Sequence, residues 1–299
     1  MAKHQTHAEH DPSITADCES VLVTLLSGLG PWRDSVYLVG GLAPRYIIEA
    51  RPPEVPAHAG TSDVDVVVDM AVLADTEAYR SLEENLHKMG FTRVPKPDGK
   101  AFNWRWQVLT DNGNTIILEF LSWDPKRKEG HPQELPTEGT ISALNIPHSD
   151  IVFDMHDERE ISAPLLNGEG NATVKVRHAN LVSFLCLKAF ALEGRGERKD
   201  AHDLIYCLEH NADGMAGAVA QFSEALQGAH AEVVAEALAI VRRKFADDKH
   251  GPGFRKDGPT KAARFELGDG DGEDYREALL LRQREINAVV ESFLRELKV

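Results

Sequence analysis

Cysteine is scarce. Cys18, Cys186 and Cys207 are the 3 thiols in 299 residues, too few and too scattered for a disulfide framework. Long apolar runs are missing too: none approaches the roughly 20 residues a membrane-spanning helix requires. Met1 to Asp17 is polar and histidine-bearing with no apolar core, unlike a secretory leader. Basic charge is also in short supply. Lys and Arg number 33 against 48 Asp and Glu, a net charge of −15. That balance excludes a surface that coats nucleic acid, though not a small basic site on an acidic body. These absences together predict a cytoplasmic protein without membrane association.

Hydrophobic residues at 42% and charged ones at 27% are ordinary for a folded chain. A chain of this length buries about three quarters of its unfolded surface, as one large domain or two ordinary ones. No internal repeat or low-complexity tract interrupts it. Residues 1–15 are expected to be a mobile tail; His4, His7 and His10 are spaced three apart within it, where they could collect a stray metal ion.

Apolar residues at helical spacing run from Ala16 until Gly28 and Gly30 stop them. Val36 to Val39 reads as a short buried strand entering Gly40-Gly41, and Leu42 to Ala50 as a helix with Pro44 in its first turn. The prolines of Arg51 to Gly60 demand a loop. Val64 to Val68 is a β-branched strand, and Glu77 to Met89 a helix. Trp104–Leu109 and Thr115–Leu121 form a hairpin across Asp111-Asn112-Gly113-Asn114. Pro125 to Glu138 is expected to be a polar loop, with short strands at Ile151–Phe153, Ile161 and Val174–Val176. From His178 onward the pattern is helical: Asn180–Leu192, Lys199–His210, Gly217–Leu226, His230–Phe245 and Gly272–Leu297. The fold class is therefore α+β, a mixed sheet with flanking helices over residues 16–176, followed by a helical domain over 177–299.

Asp63 and Asp65 flank one residue at the start of a strand, so both side chains point to one face, with Cα atoms about 6.6 Å apart. Such a pair can hold a hard cation, and magnesium suits it because water and substrate phosphates complete its shell. Gly40-Gly41, between a buried strand and a helix start, permits close approach of backbone N–H groups to phosphate, or serves turn geometry alone. Glu119 sits among Ile117, Leu118, Phe120 and Leu121, where an unpaired carboxylate is costly. It is either a sheet-edge residue facing water, a third ligand, or a base for an attacking hydroxyl.

Lys188 is the only charge between Leu181 and Leu192 and shares the most apolar stripe of its helix. It either snorkels to a surface or points into a polar cleft. In the next helix Asp200, Asp203, Leu204 and Cys207 fall on one face. Helix capping accounts for Asp200 better than for Asp203. The connecting loop adds Arg195 and Arg198.

Taken together, Val39-Gly40-Gly41, Thr61-Ser62-Asp63-Val64-Asp65, Lys188, Arg195 and Lys199-Asp200-Ala201-His202-Asp203-Leu204 resemble the nucleotidyltransferase superfamily related to DNA polymerase beta. The set is similar in particular to the AbiEii/AbiGii-type abortive-infection toxins. Leu42 stands where many relatives carry Ser or Thr, and a proline-rich loop lengthens the path from Gly41 to Asp63. The resemblance implies transfer of a nucleoside monophosphate from a nucleoside triphosphate to an acceptor hydroxyl. Asp63 and Asp65 would hold Mg2+, and Gly40, Gly41, Ser62, Lys188 and Arg195 would bind the nucleotide. Asp63, Asp65, Lys188, Asp200 and Glu119 would form the catalytic set, which the helical domain completes. It further implies an RNA acceptor such as a tRNA end, and a cognate antitoxin. Locally, residues 242–264 carry eight Lys/Arg against three Asp, either an RNA-facing loop or a solvated helix end. A small-molecule transferase acting on aminoglycoside-like cations also fits the acidic balance, and a non-catalytic nucleotide-binding module is a third alternative. Asp269 to Asp274 lacks the glycine and terminal acid of a calcium-binding loop and reads as a lead into the last helix. That helix carries near-heptad apolar positions that pack on its own domain or on a partner.

Overall fold

The computed structural model describes residues 5–9, 11–69, 82–135 and 139–299. They gather into two compact units, one drawn from residues 12–46 and 60–180, the other from 1–11, 47–59 and 181–299. The proline-rich segment 47–59 is thus grouped with the C-terminal helices. No helix among the described residues is long and apolar enough to cross a membrane.

The first unit is a mixed sheet with helix α1 (Pro12–Gly28) against it. Its strands are β1 (Val36–Val39), β2 (Asp63–Val68), β3 (Thr92–Pro95), β4 (Ala101–Leu109), β5 (Thr115–Ser122), β6 (Pro132–Glu134), β7 (Ser142–Asn145), β8 (His156–Pro164) and β9 (Asn171–Ala179). The order is β3-β4-β5-β2-β1-β9-β8, with β7 also pairing β5 and β6 pairing β7. Short helices α2 (Pro44–Ile47), α3 (Leu82–Lys88) and α4 (Ile151–Asp154) occupy the connections.

Alternation along the central strands decides which face is which. In β2 Val64, Val66 and Val68 are buried while Asp63 and Asp65 are only half-buried. In β5 Ile116, Leu118 and Phe120 are buried while Ile117 and Glu119 are half-buried. The buried set packs with Val21, Leu22 and Leu25 of α1 in one core, so the opposite face is left to the acids.

Most expected elements form, with displaced ends. Helix α1 begins at Pro12 rather than Ala16, and His7–Glu9 make a 3-10 turn within the expected tail; His4 and His10 lie outside the described residues. The helix expected over Leu42–Ala50 splits into a 3-10 turn at Gly40–Leu42 and the short α2. Of the helix expected from Glu77, residues 77–81 lie outside the described residues. Ile151–Phe153 is helical rather than a strand, since Met155 N–H donates to Ile151 O at 3.0 Å; a three-residue apolar run has no period to distinguish the two. The polar loop after Pro125 contains β6, recruited by pairing with β7 rather than by its own propensity; residues 136–138 lie outside the described set.

The second unit holds α5 (Leu181–Gly194), α6 (Arg198–Glu209), α7 (Gly214–Ala225), α8 (Ala231–Phe245), α9 (Asp257–Leu267) and α10 (Glu273–Leu297). Leu185, Leu204, Phe222, Val241 and Phe293, from five of these helices, line one small interior gap. Helix α9 was not expected, because Gly258 and Pro259 mask its start; proline is tolerated in a first turn, and Gly258 lies so close to the Phe245 ring that a Cβ would overlap it.

The β4–β5 hairpin is latched to α1 through Asp17, which is buried. Its carboxylate accepts from Thr110 Oγ1 at 2.8 Å, and from the Asn112 and Asn114 side-chain amides at 2.7 Å each. Replacing Asp17 with alanine removes these charge-assisted bonds and is expected to cost about 3 kcal/mol, read as a lower urea midpoint.

Candidate active site

The first group of site residues is set by the register of the sheet. Strands β2 and β5 run parallel with Asp65 beside Glu119, and β4 runs antiparallel to β5 with Arg105 beside Glu119. Residues paired across strands share a face, so Asp65, Glu119 and Arg105 form a row, and Asp63 stands two residues from Asp65 on the same face. Arg105 Nε lies 2.8 Å from Glu119 Oε1, so the acid inside an apolar strand is held in an ion pair. Thr61 Oγ1 accepts from the Asp63 backbone N–H at 3.1 Å and fixes the entry to the strand.

Gly40 follows β1 at a φ of +68°, a left-handed conformation that glycine adopts freely. A Cβ built on it would overlap the Asp65 carboxylate, so the absence of a side chain is what lets the turn lie against that acid. Gly41 is buried in the same turn, and Ser62 is half-buried immediately before β2. Beneath lies Cys18, whose Sγ–H donates to Thr61 O at 3.3 Å. Burial pushes the Cys18 thiol far above its ordinary value, and Asp63, Asp17 and Asp65 push it further. Negative charge is thus concentrated at this end of β2. Asp63 and Asp65 on one face, with a side-chain-free turn against one of them, are oxygen donors of the kind a hard divalent cation takes.

The second group belongs to the helical unit. Lys188 Nζ on α5 lies 3.1 Å from Asp200 Oδ1 and 2.7 Å from Asp203 Oδ2, so it reaches carboxylates and does not snorkel. Arg195 grips Asp200 with two bonds of 2.7 Å. Lys199 Nζ donates to both Asp203 oxygens at 2.9 and 2.8 Å. His58, from segment 47–59, adds a 2.9 Å bond from Nε2 to Asp203 Oδ1. Asp203 is wholly buried. Two carboxylates face three cations here, leaving one positive charge in excess.

The ionisation follows from those partners. Burial opposes charge on Lys188, but Asp203 and Asp200 outweigh it and hold its ammonium above the ordinary lysine value. Burial also opposes charge on Asp203, yet Lys188, Lys199 and His58 bring it well below the carboxylate range. Asp200 is lowered against burial by Lys188 and Arg195.

Sequence reasoning gave no site role to Arg105, Lys199 or His58, although Lys199 stands in the quoted motif. Arg105 was legible in principle, because the hairpin register that pairs Leu109 with Thr115 also sets Arg105 opposite Glu119. Lys199 is one turn before Asp203 and was readable as an i,i+4 pair. His58 lies 145 residues from Asp203 in a loop without periodicity, and no local signal announces it.

Burial lowers His58 from its ordinary 6.5 to about 3, with Asp203 opposing the shift and Lys199 and His202 adding to it. The unfolded chain then takes up a proton that the folded chain refuses. Stability is therefore expected to fall as the pH drops below 6.5, levelling off near 3. His58→Gln should remove up to one proton's worth of that slope between pH 6.5 and about 5, read from urea midpoints measured across the range.

No curated protein and no solved structure matches the chain. Residues 19–209 match a nucleotidyltransferase family. That span runs from α1 to the end of α6 and covers well over half of the chain. With the double glycine, the strand acids and the lysine–aspartate helices all inside it, the chain belongs to the nucleotidyltransferase family.

Proposed function

We propose that the protein transfers a nucleoside monophosphate from a nucleoside triphosphate to an acceptor hydroxyl, releasing pyrophosphate. The observation that carries the reading is the shared face of Asp63, Asp65 and Glu119 with Gly40 against Asp65. Asp63 and Asp65 are the residues to hold Mg2+, which when bound supplies charge neutralisation on the triphosphate. The backbone N–H groups of Gly40 and Gly41, with the Ser62 hydroxyl, are suited to phosphate oxygens.

In this scheme the acceptor oxygen forms a bond to the α-phosphorus as the bond to pyrophosphate breaks. The acceptor's proton passes to a carboxylate or to water. Glu119, fixed by Arg105, is either the third ligand or that proton acceptor. Lys188 and Arg195 bring the positive charge that a departing pyrophosphate requires, and Asp200 orients both.

The acceptor we favour is an RNA end, in particular a tRNA, with arrest of growth as the outcome and an antitoxin as cytoplasmic partner. The similarity of motifs to AbiEii-type toxins supports this, as does the basic stretch 242–264. Within it Arg255 lies 5.5 Å from the centre of the Phe254 ring, which Arg284 of α10 also approaches, at 5.2 Å. The overall charge of −15 supports a second reading, a small cationic acceptor of the aminoglycoside kind. The division into a transferase domain over 16–176 and a helical domain over 177–299 that completes the site belongs to the same proposal.

Incubation with each radiolabelled triphosphate, Mg2+ and total tRNA is expected to label RNA ends and release pyrophosphate. Asp63→Ala, folded by circular dichroism, is expected to lose at least a thousandfold in rate, about 4 kcal/mol. Label on an aminoglycoside instead of RNA would select the second reading. Unchanged transfer by Asp63→Ala would remove the mechanism.

A further inference from the structure

The helical unit contains a second group of metal-ligating side chains that the transfer chemistry does not use. His58, from segment 47–59, and His202 and Asp203, neighbours on α6, each offer one ligand atom within 4.8 Å of the others. His202 is buried, and its two ring nitrogens differ sharply. Nδ1 lies 3.2 Å from Glu266 Oε1 on α9, whereas Nε2 is buried with no hydrogen-bond partner. A buried imidazole nitrogen left unpaired calls for an explanation.

The surroundings of His202 give that nitrogen a purpose. A carboxylate accepts only, so Nδ1 carries a hydrogen toward Glu266, and Nε2 is the nitrogen left for a metal. Glu266 is itself anchored by Arg282, whose Nε lies 2.6 Å from Oε2, and Arg282 is gripped in turn by Glu209 at 2.8 and 2.9 Å. This chain of arginine, carboxylate and histidine is the outer support that metal-bound histidines characteristically receive, fixing both tautomer and ring orientation. The His58 ring stacks on that of His202, with centroids 5.8 Å apart and planes inclined by 22°. His7 packs edge-on against His202 with centroids 6.1 Å apart, which shields the cluster from the N-terminal side.

We infer that His58, His202 and Asp203 form a binding site for a zinc-class transition metal, which pins segment 47–59 to α6. The donor set argues for zinc rather than magnesium. Two of the three ligands are neutral imidazoles, and the charge of Asp203 is already matched by Lys188 at 2.7 Å and Lys199 at 2.8 Å. Magnesium takes oxygen donors, whereas zinc binds imidazole nitrogen at about 2.0–2.1 Å in four-coordinate geometry. His58 Nε2 and Asp203 Oδ1 are 2.9 Å apart, near the spacing of two ligands on such an ion. Binding at Nε2 displaces the hydrogen that this nitrogen shares with Asp203. One water completes the four ligands. The inference is independent of the transferase reading.

The test is titration of the full, chelator-stripped chain with Co2+ as a spectroscopic probe, followed by equilibrium dialysis with Zn2+ in excess Mg2+. Expected are the intense visible bands of four-coordinate cobalt, one zinc bound per chain, and a higher Tm with zinc. The triple variant His4→Gln, His7→Gln, His10→Gln should retain all three. His202→Gln should lose them while keeping its far-ultraviolet dichroism. If His202→Gln does not fold, Glu266→Gln replaces it; this variant keeps every ligand and should weaken zinc about 10- to 100-fold. Absence of the cobalt bands in the unmodified chain overturns the proposal. So does their loss in the triple variant, or zinc affinity undiminished in whichever of His202→Gln and Glu266→Gln is read.

Discussion

The parallel pairing of β2 with β5 is the constraint on which the acidic face depends. Side chains alternate along a strand with a period of two, so one register decides the surroundings of every residue in both strands. With Val64 beside Leu118 and Val66 beside Phe120, the apolar rows meet beneath α1, and Asp65 necessarily falls beside Glu119 on the far face. A slip of one residue would drive both aspartates into the core, where unpaired charge is prohibitive. The packing that stabilises the sheet and the arrangement that gathers the acids are thus one feature.

Charge is handled differently in the helical unit. There no sheet face is left to water, and the ionised groups survive burial by pairing. Asp203 takes hydrogen bonds from Lys199 and His58 and an ion pair from Lys188, while Asp200 is held by Lys188 and Arg195. Removing a single partner from such a network leaves an uncompensated charge in a medium of low polarity. The network therefore restricts Lys188 to one position.

Much of this was legible in the amino-acid sequence where one local pattern controls the outcome. The alternation around Asp63 and Asp65, the Asp-Asn-Gly-Asn turn and the isolated charge of Lys188 each point to what forms. Legibility fails where a distant partner decides. Ile151–Phe153 has too few residues for a period, β6 exists because β7 offers it an edge, and α9 begins at a glycine–proline pair that normally signals a break. His58 is the clearest case: nothing near it in the chain anticipates Asp203. Glu119 stands beside Asp65 and is ion-paired to Arg105, a partner that its own strand does not announce.

The acidic face of β2 and β5 is the proposed seat of a divalent ion. Binding of Mn2+, followed by electron paramagnetic resonance with a non-hydrolysable triphosphate present, measures that directly. The account predicts manganese bound with the triphosphate and released when Asp65 is changed to Asn. Manganese held equally well by the Asp65→Asn chain would contradict it.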